Sequence, residues 1–169
     1  YTDYMDRFYI FVICYSIKVE DLEPQSVKIG GECVLFINSA GHLNMYYKGK
    51  VEMLEIGGAT EYHAHDGLAA YSIYETLKVI YKGTVIELSK RCPRYLASDS
   101  LVAFYDKNAE ALNVFYKGEV AEIESGLLGK PVKIFSAGDN ILAYISSRNN
   151  DFKIWYKGNL QTIASNVEN

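Results

Sequence analysis

Residues 99–118 read DSLVAFYDKNAEALNVFYKG, and residues 139–158 read DNILAYISSRNNDFKIWYKG. Both open on an Asp before a short apolar run, pass through a polar stretch, and close on an alternating segment ending in Tyr-Lys-Gly. That tripeptide occurs four times, at Tyr47-Lys48-Gly49, Tyr81-Lys82-Gly83, Tyr116-Lys117-Gly118 and Tyr156-Lys157-Gly158. A fifth, decayed copy is read at Tyr15-Ser16-Ile17, because YSIKVEDLE (15–23) aligns without a gap to YKGKVEMLE (47–55). The five tyrosines are 32, 34, 35 and 40 residues apart. A period in this range marks a repeat architecture, in which each unit is one supersecondary element that hides its apolar face against the next.

Each repeat resolves into four short strands. A first strand (Ser26 to Ile29, Thr60 to Ala64, Arg94 to Ala97, Val132 to Phe135) turns at Asp66, Asp99 or Asp139 into a second, such as Leu101 to Tyr105. Gly31-Glu32 holds the same place in the looser early copy. A polar turn leads to a third strand, Leu112 to Tyr116, and Lys-Gly returns a fourth, Glu119 to Ile123. Gly49, Gly83, Gly118 and Gly158 supply the positive φ that a tight hairpin tip requires, and each Asp suits a turn that bonds its own downstream backbone.

Periodicity decides how the sheets are covered. One face of the third strands reads Leu43, Met45, Tyr47, then Leu77, Val79, Tyr81, then Leu112, Val114, Tyr116, then Phe152, Ile154, Tyr156. The other face carries Tyr46, Ile80, Phe115 and Trp155 beside the turn, so these strands are apolar on both sides, whereas a sheet with one wet face would alternate. Four-stranded units covered on both faces by neighbours are the blades of a β-propeller. The chain therefore reads as one all-β domain over 1–169, a propeller of four-stranded antiparallel blades with about five repeats. A partial blade spans 1–23 and full ones span 24–56, 57–90, 91–125 and 126–169. Tyr15 lies too near the start for a complete unit, so the first blade lacks its inner strand. Closure of the ring through Ser165–Asn169 would give five blades; a segment of a six- to eight-bladed ring is the other reading.

The stretch 139–158 and its sister 99–118 resemble repeats of β-propeller proteins of the bacterial cell envelope, related in style to WD40-like and TolB-like propellers. The resemblance extends over nearly the whole chain, although no Gly-His or Trp-Asp pair of the WD40 kind is present and the first copy lacks Lys and Gly. It implies an extracytoplasmic propeller, in the periplasm or at the cell surface, acting as an interaction subunit.

Composition narrows the function. The chain is 49% hydrophobic and 22% charged, enough apolar material for a packed core. Seventeen basic against 21 acidic residues leave a net charge of -4, which speaks against nucleic acid as a partner. No apolar run reaches the roughly 18 residues of a membrane-spanning helix, so no transmembrane segment of its own is expected, and no signal sequence is legible in these residues. The spacings of Cys14, Cys33 and Cys92 match neither a zinc site nor a disulfide framework, and they read as buried thiols.

Few residues suggest chemistry. His63 and His65 share a strand face beside Asp66, the weak alternative for a metal site, but repeat alignment puts His65 at a turn position held elsewhere by Ser98 and Gly138. A solvated turn histidine is expected, with no metal and no cofactor. Asp66, Asp99 and Asp139 recur on the Lys-Gly rim and read as turn caps in contact with Lys82, Lys117 or Lys157, pairs of small energetic weight when exposed. The inner strands offer Glu61 alone among Lys28, Arg94 and Lys133, short of the two carboxylates a glycosidase needs, and no nucleophile stands at a recognisable spacing from a base. No enzymatic activity is expected. The opposite end carries the variable loops: 38–42, 74–76, 91–94, 106–111, 125–130 and 148–151. Among them, Ser125-Gly126-Leu127-Leu128-Gly129-Lys130 reads as a docking loop that exposes two leucines. Leu127, Leu128, Lys130, Arg91, Arg94 and Arg148 are thus the candidate contacts for another protein, expected to be a large envelope complex. A non-catalytic scaffold is the first reading, with a carbohydrate- or small-ligand-binding module second and a hydrolase third.

Overall fold

The computed structural model describes residues 9–12, 15–18, 26–127 and 132–167, with side chains over 26–127, at Val132 and over 136–167. Four antiparallel sheets of four strands follow one another, each with its strands in chain order. The first blade comprises Ser26–Ile29, Cys33–Ile37, Leu43–Tyr47 and Lys50–Glu55. The second comprises Glu61–Ala64, Leu68–Ile73, Thr76–Tyr81 and Thr84–Ser89. The third comprises Tyr95–Ala97, Leu101–Asp106, Ala111–Tyr116 and Glu119–Glu124. The fourth comprises Lys133–Ala137, Ile141–Ile145, Phe152–Tyr156 and Asn159–Ala164. The first strands of the first and second blades, and of the third and fourth, lie against one another, which places them at the inner edge of the arc.

The hairpin tips explain why Tyr-Lys-Gly recurs. In all four, Lys (φ 47 to 53°) and Gly (φ 78 to 95°) are both left-handed, the signature of a type I′ turn, whose twist matches that of the flanking strands. A left-handed non-glycine residue costs about 1–2 kcal/mol. Here each ammonium sits 5.0 to 5.2 Å from the ring centroid of the preceding tyrosine, and an exposed cation–π contact returns about 0.5–1 kcal/mol. The lysine is therefore not a neutral filler at this position. The Asp turns are equally short: His65 N–H donates to Leu68 O, Ser98 to Leu101 O and Gly138 to Ile141 O, each at 2.9 Å.

The core lies between blades. Cys33, Leu35, Leu43 and Met45 of the first meet Ala69, Tyr71 and Ile80 of the second. Leu68, Ala70, Leu77 and Val79 of the second meet Cys92, Tyr95, Phe104 and Phe115 of the third. Leu101, Ala103, Leu112 and Val114 of the third meet Leu142, Tyr144 and Trp155 of the fourth. The two apolar faces of the third strands in the second and third blades thus serve two different neighbours.

Two expectations change. Tyr9–Val12 and Tyr15–Lys18 form a two-stranded sheet in which Val12 stands opposite Tyr15. Tyr15 accordingly opens the second strand, whereas the gapless alignment places it at the end of the first. Without a Lys-Gly pair, nothing local marks where that turn falls. The expected closure through the C-terminal residues is also not formed among the described residues: 165–167 lie outside any strand, and the early hairpin pairs only with itself. Cys14 and residues 168–169 lie outside the described residues.

Candidate functional site

The short turns bring Asp66, Asp99 and Asp139 together at the end of the arc that holds the Lys-Gly tips. Neighbouring turns are stitched there: Gly67 N–H donates to Asp99 O at 3.0 Å, and Ser98 Oγ–H donates to Gly138 O at 2.8 Å. A hydrogen bond shared with the Asp99 carboxylate, and the charges of Asp99 and Asp66, hold the Asp139 carboxyl above the usual carboxylate range. Among the described residues no tip ammonium pairs with Asp66, Asp99 or Asp139, whereas in the first blade Lys48, also over its own tyrosine ring, meets Glu32 at the corresponding turn at 3.7 Å.

The histidines do not stand free. His63 Nε2 lies 2.9 Å from Glu61 Oε1, and His65 Nδ1 lies 3.3 Å from Asp99 Oδ1. The two rings stack at 6.3 Å, and Tyr95 meets His63 edge-on at 5.7 Å. His65 is half-buried between blades, which corrects the expectation of a solvated turn residue. Among the described residues, no three His, Cys, Asp or Glu side chains converge as a metal site would require. The cleft beside His65, lined also by Glu32, Tyr47, Asp66 and Lys82, has a volume of about 120 Å³. Drug-sized ligands occupy roughly 300–1,000 Å³. Cys33 and Cys92 are buried and reduced, their thiols pushed up by burial to about 11 and about 12, so they act as small apolar groups.

At the other end, Leu127 overturns the docking-loop expectation. Only 2% of it is exposed; it is packed into the core between the third and fourth blades, tied by its N–H to Glu110 O at 3.1 Å. Leu127 turns inward because an apolar pocket between the third and fourth blades is within its reach. Leu128 and Lys130 lie outside the described residues. Arg91, Arg94 and Arg148 are exposed on this end, with Arg148 donating to Ser125 O at 3.3 Å. Tyr74, which lies in the variable loop 74–76 but is not among the candidate contacts, is 88% exposed at the tip of a two-residue turn, at φ 53°, its N–H held by Thr60 Oγ1 at 2.8 Å. The next residue, Glu75, accepts Cys92 N–H through its carbonyl at 2.7 Å and lies 3.9 Å from Arg91 Nε through its carboxylate. Tyr74, Arg91 and Arg94 therefore share one exposed neighbourhood.

Two partly buried charge clusters join blades. Lys78 Nζ donates to Glu55 Oε1 at 2.6 Å, and Tyr71 O–H donates to the same oxygen at 3.0 Å. Two blades later, Lys153 Nζ donates to Glu124 Oε2 at 3.4 Å, and Ser146 O–H donates to the Glu124 carboxylate. Burial and the glutamate charge together push the phenols of Tyr71 and Tyr144 well above the ordinary tyrosine value.

Successive four-stranded meanders, first strands inward and tips along one rim, define a β-propeller. The family described as a 10-bladed beta propeller domain matches residues 1–169, and the chain belongs to that family. No curated protein sequence matches the chain. Among solved structures, human WBSCR16 is 11% identical over 88% of this chain and 54% of its own, with a TM-score of 0.51. Prp20p from Saccharomyces cerevisiae is 9% identical over 78% of this chain and 44% of its own, at 0.52. The ectodomain of the Arabidopsis thaliana receptor kinase ACR4 is 9% identical over 86% and 54%, at 0.50. This chain spans about half the length of these structures, and the likeness is one of fold.

Proposed function

We propose that the chain is a non-catalytic propeller scaffold that binds another protein through its loop end, as an accessory subunit of a cell-envelope or secretion assembly. The observation that carries this reading is Tyr74, an aromatic side chain 88% exposed on the same end as the exposed Arg91 and Arg94. Tyr and Arg are the residues that most often dominate binding energy at protein interfaces, and a conformationally unusual tyrosine presented to solvent contributes nothing to the core. Prp20p, which shares the fold, is described as binding Gsp1p and histones. The extracytoplasmic location rests on the resemblance of the 139–158 repeat to envelope propellers.

The test is recovery of the tagged chain from an envelope fraction after mild cross-linking. A stoichiometric protein partner is expected, lost on Tyr74→Ser combined with Arg94→Glu while the thermal midpoint is unchanged. Recovery of the chain alone, or a partner retained by the double variant, removes this reading.

A further inference from the structure

The four blades are of two kinds that alternate. In the first and third, the second strand carries Phe36 or Phe104, the third carries Asn44 or Asn113, and the fourth ends on Glu55 or Glu124. In the second and fourth, the corresponding residues are Tyr71 or Tyr144, Lys78 or Lys153, and Ser89 or Ala164. All three positions switch together, and they define two kinds of seam. A blade ending in Glu receives a blade bearing Lys and Tyr, giving the charge clusters at the first–second and third–fourth seams. The second–third seam has no such cluster: Ser89 Oγ accepts Arg91 N–H at 3.1 Å, and Asn113 donates to its own blade at Ala111 O, 3.3 Å away. Asn44 satisfies itself in the same way, on His42 O at 2.9 Å.

The far face of the fourth blade has no neighbour among the described residues. Ile141, Tyr156 and Ile163 are 39%, 50% and 53% exposed there, while their counterparts Leu101, Tyr116 and Ile123 are packed against the fourth blade. Tyr116 even donates its O–H to Asn140 of the next turn at 2.7 Å. We infer that this face is a docking site for one further blade of the Phe–Asn kind. It continues the chemistry of the second–third seam, since Ala164 stands where Ser89 does. A blade of the Tyr–Lys kind would bury an ammonium opposite Ala164 with no carboxylate to meet it, and an unpaired buried charge is strongly disfavoured. A Phe–Asn blade brings no charge and an amide that finds its acceptor within its own strand.

The test extends the full chain. A second copy of residues 95–125, or of residues 61–90, is joined directly after Asn169, which keeps the five-residue connection between Ser89 and Tyr95. Maleimide labelling of Ile141→Cys reports cover of the face, and the thermal midpoint reports docking. The 95–125 extension is expected to slow labelling at least about tenfold and to raise the midpoint by several degrees, the scale of a stabilised domain of this size. The 61–90 extension is expected to do neither until Ala164→Glu is added, which reverses the preference. Equal cover by both extensions, no cover by the 95–125 extension, or indifference to Ala164→Glu overturns the inference.

Discussion

The ring of Tyr47 lies over Gly83 of the next blade: a methyl group on Gly83 would stand 2.4 Å from Tyr47 Cε1. Tyr81 covers Gly118 in the same manner at 3.1 Å, whereas Gly158 has nothing within 4 Å. At the first two seams the tripeptide is thus both the tip of one blade and the clamp on the next. Gly83→Ala meets a left-handed backbone cost of about 1–2 kcal/mol and an overpacking cost of about 1–3 kcal/mol more. Gly158→Ala meets only the first. Urea unfolding of the two variants should separate them by more than about 1 kcal/mol, and equal losses would show that the clamp has no energetic role.

Leu127→Asp should destabilise strongly. The side chain fills the seam between the third and fourth blades, and the substitution removes apolar burial and places a carboxylate among Leu101, Leu112 and Leu142. A loss of at least about 3 kcal/mol follows, read as a fall in calorimetric midpoint. Arg148→Ala, on the exposed end, should stay within about 0.5 kcal/mol of the parent.

The two charge clusters differ in depth. The side chains of Glu124 and Lys153 are 4% and 17% exposed, those of Glu55 and Lys78 20% and 23%. Glu124→Ala leaves an ammonium in a poorly solvated seam and should cost about 3–5 kcal/mol. Glu55→Ala should cost less, because water reaches Lys78. Combining Glu124→Leu with Lys153→Met removes both charges and should restore most of the loss. A double variant no better than Glu124→Ala in a denaturation cycle would refute this account.

Asp139 sets a pH dependence. Its native pKa is raised, so between the unfolded value and the native value the folded chain binds more protons than the unfolded one. Stability therefore falls as pH rises through that window, and the penalty persists above it. Asp139→Asn should raise the thermal midpoint at pH 7, more at low salt than at high, and give no gain near pH 3. A gain of equal size at both pH values would point to a cause other than repulsion from Asp99.

Much of this was legible in the sequence. The strands Ser26–Ile29 and Asn159–Ala164 fall where the repeat puts them, because hairpin tips marked by Lys-Gly pin register within two residues. The two-sided third strands announced the sandwiching. What escaped notice depends on partners distant in sequence. Leu127 and Leu128 look alike in a glycine-flanked loop, and only the pocket left by the next blade decides that Leu127 turns inward. The tip lysines look available for Asp66, Asp99 and Asp139, yet the pairing that forms is in the first blade, between Lys48 and Glu32. The Glu55–Lys78 pair spans two repeats, so aligning repeats one by one hides it; comparing alternate repeats would have brought out the Phe/Tyr, Asn/Lys and Glu/Ser switches. Tyr74 was legible as part of the variable loop 74–76, but nothing in the sequence set it apart from the other loop residues as a contact.

The alternation of seams has a consequence for how such genes change. Dropping or duplicating a single repeat leaves at one join either a lysine with no acid or a glutamate with no lysine, whereas gaining or losing two adjacent repeats at once leaves every join matched. A circle closed from an odd number of units of this kind must contain one frustrated join, and a circle of ten contains none. Unequal recombination between repeats of this kind would thereby be filtered by parity before any selection on what the ring binds.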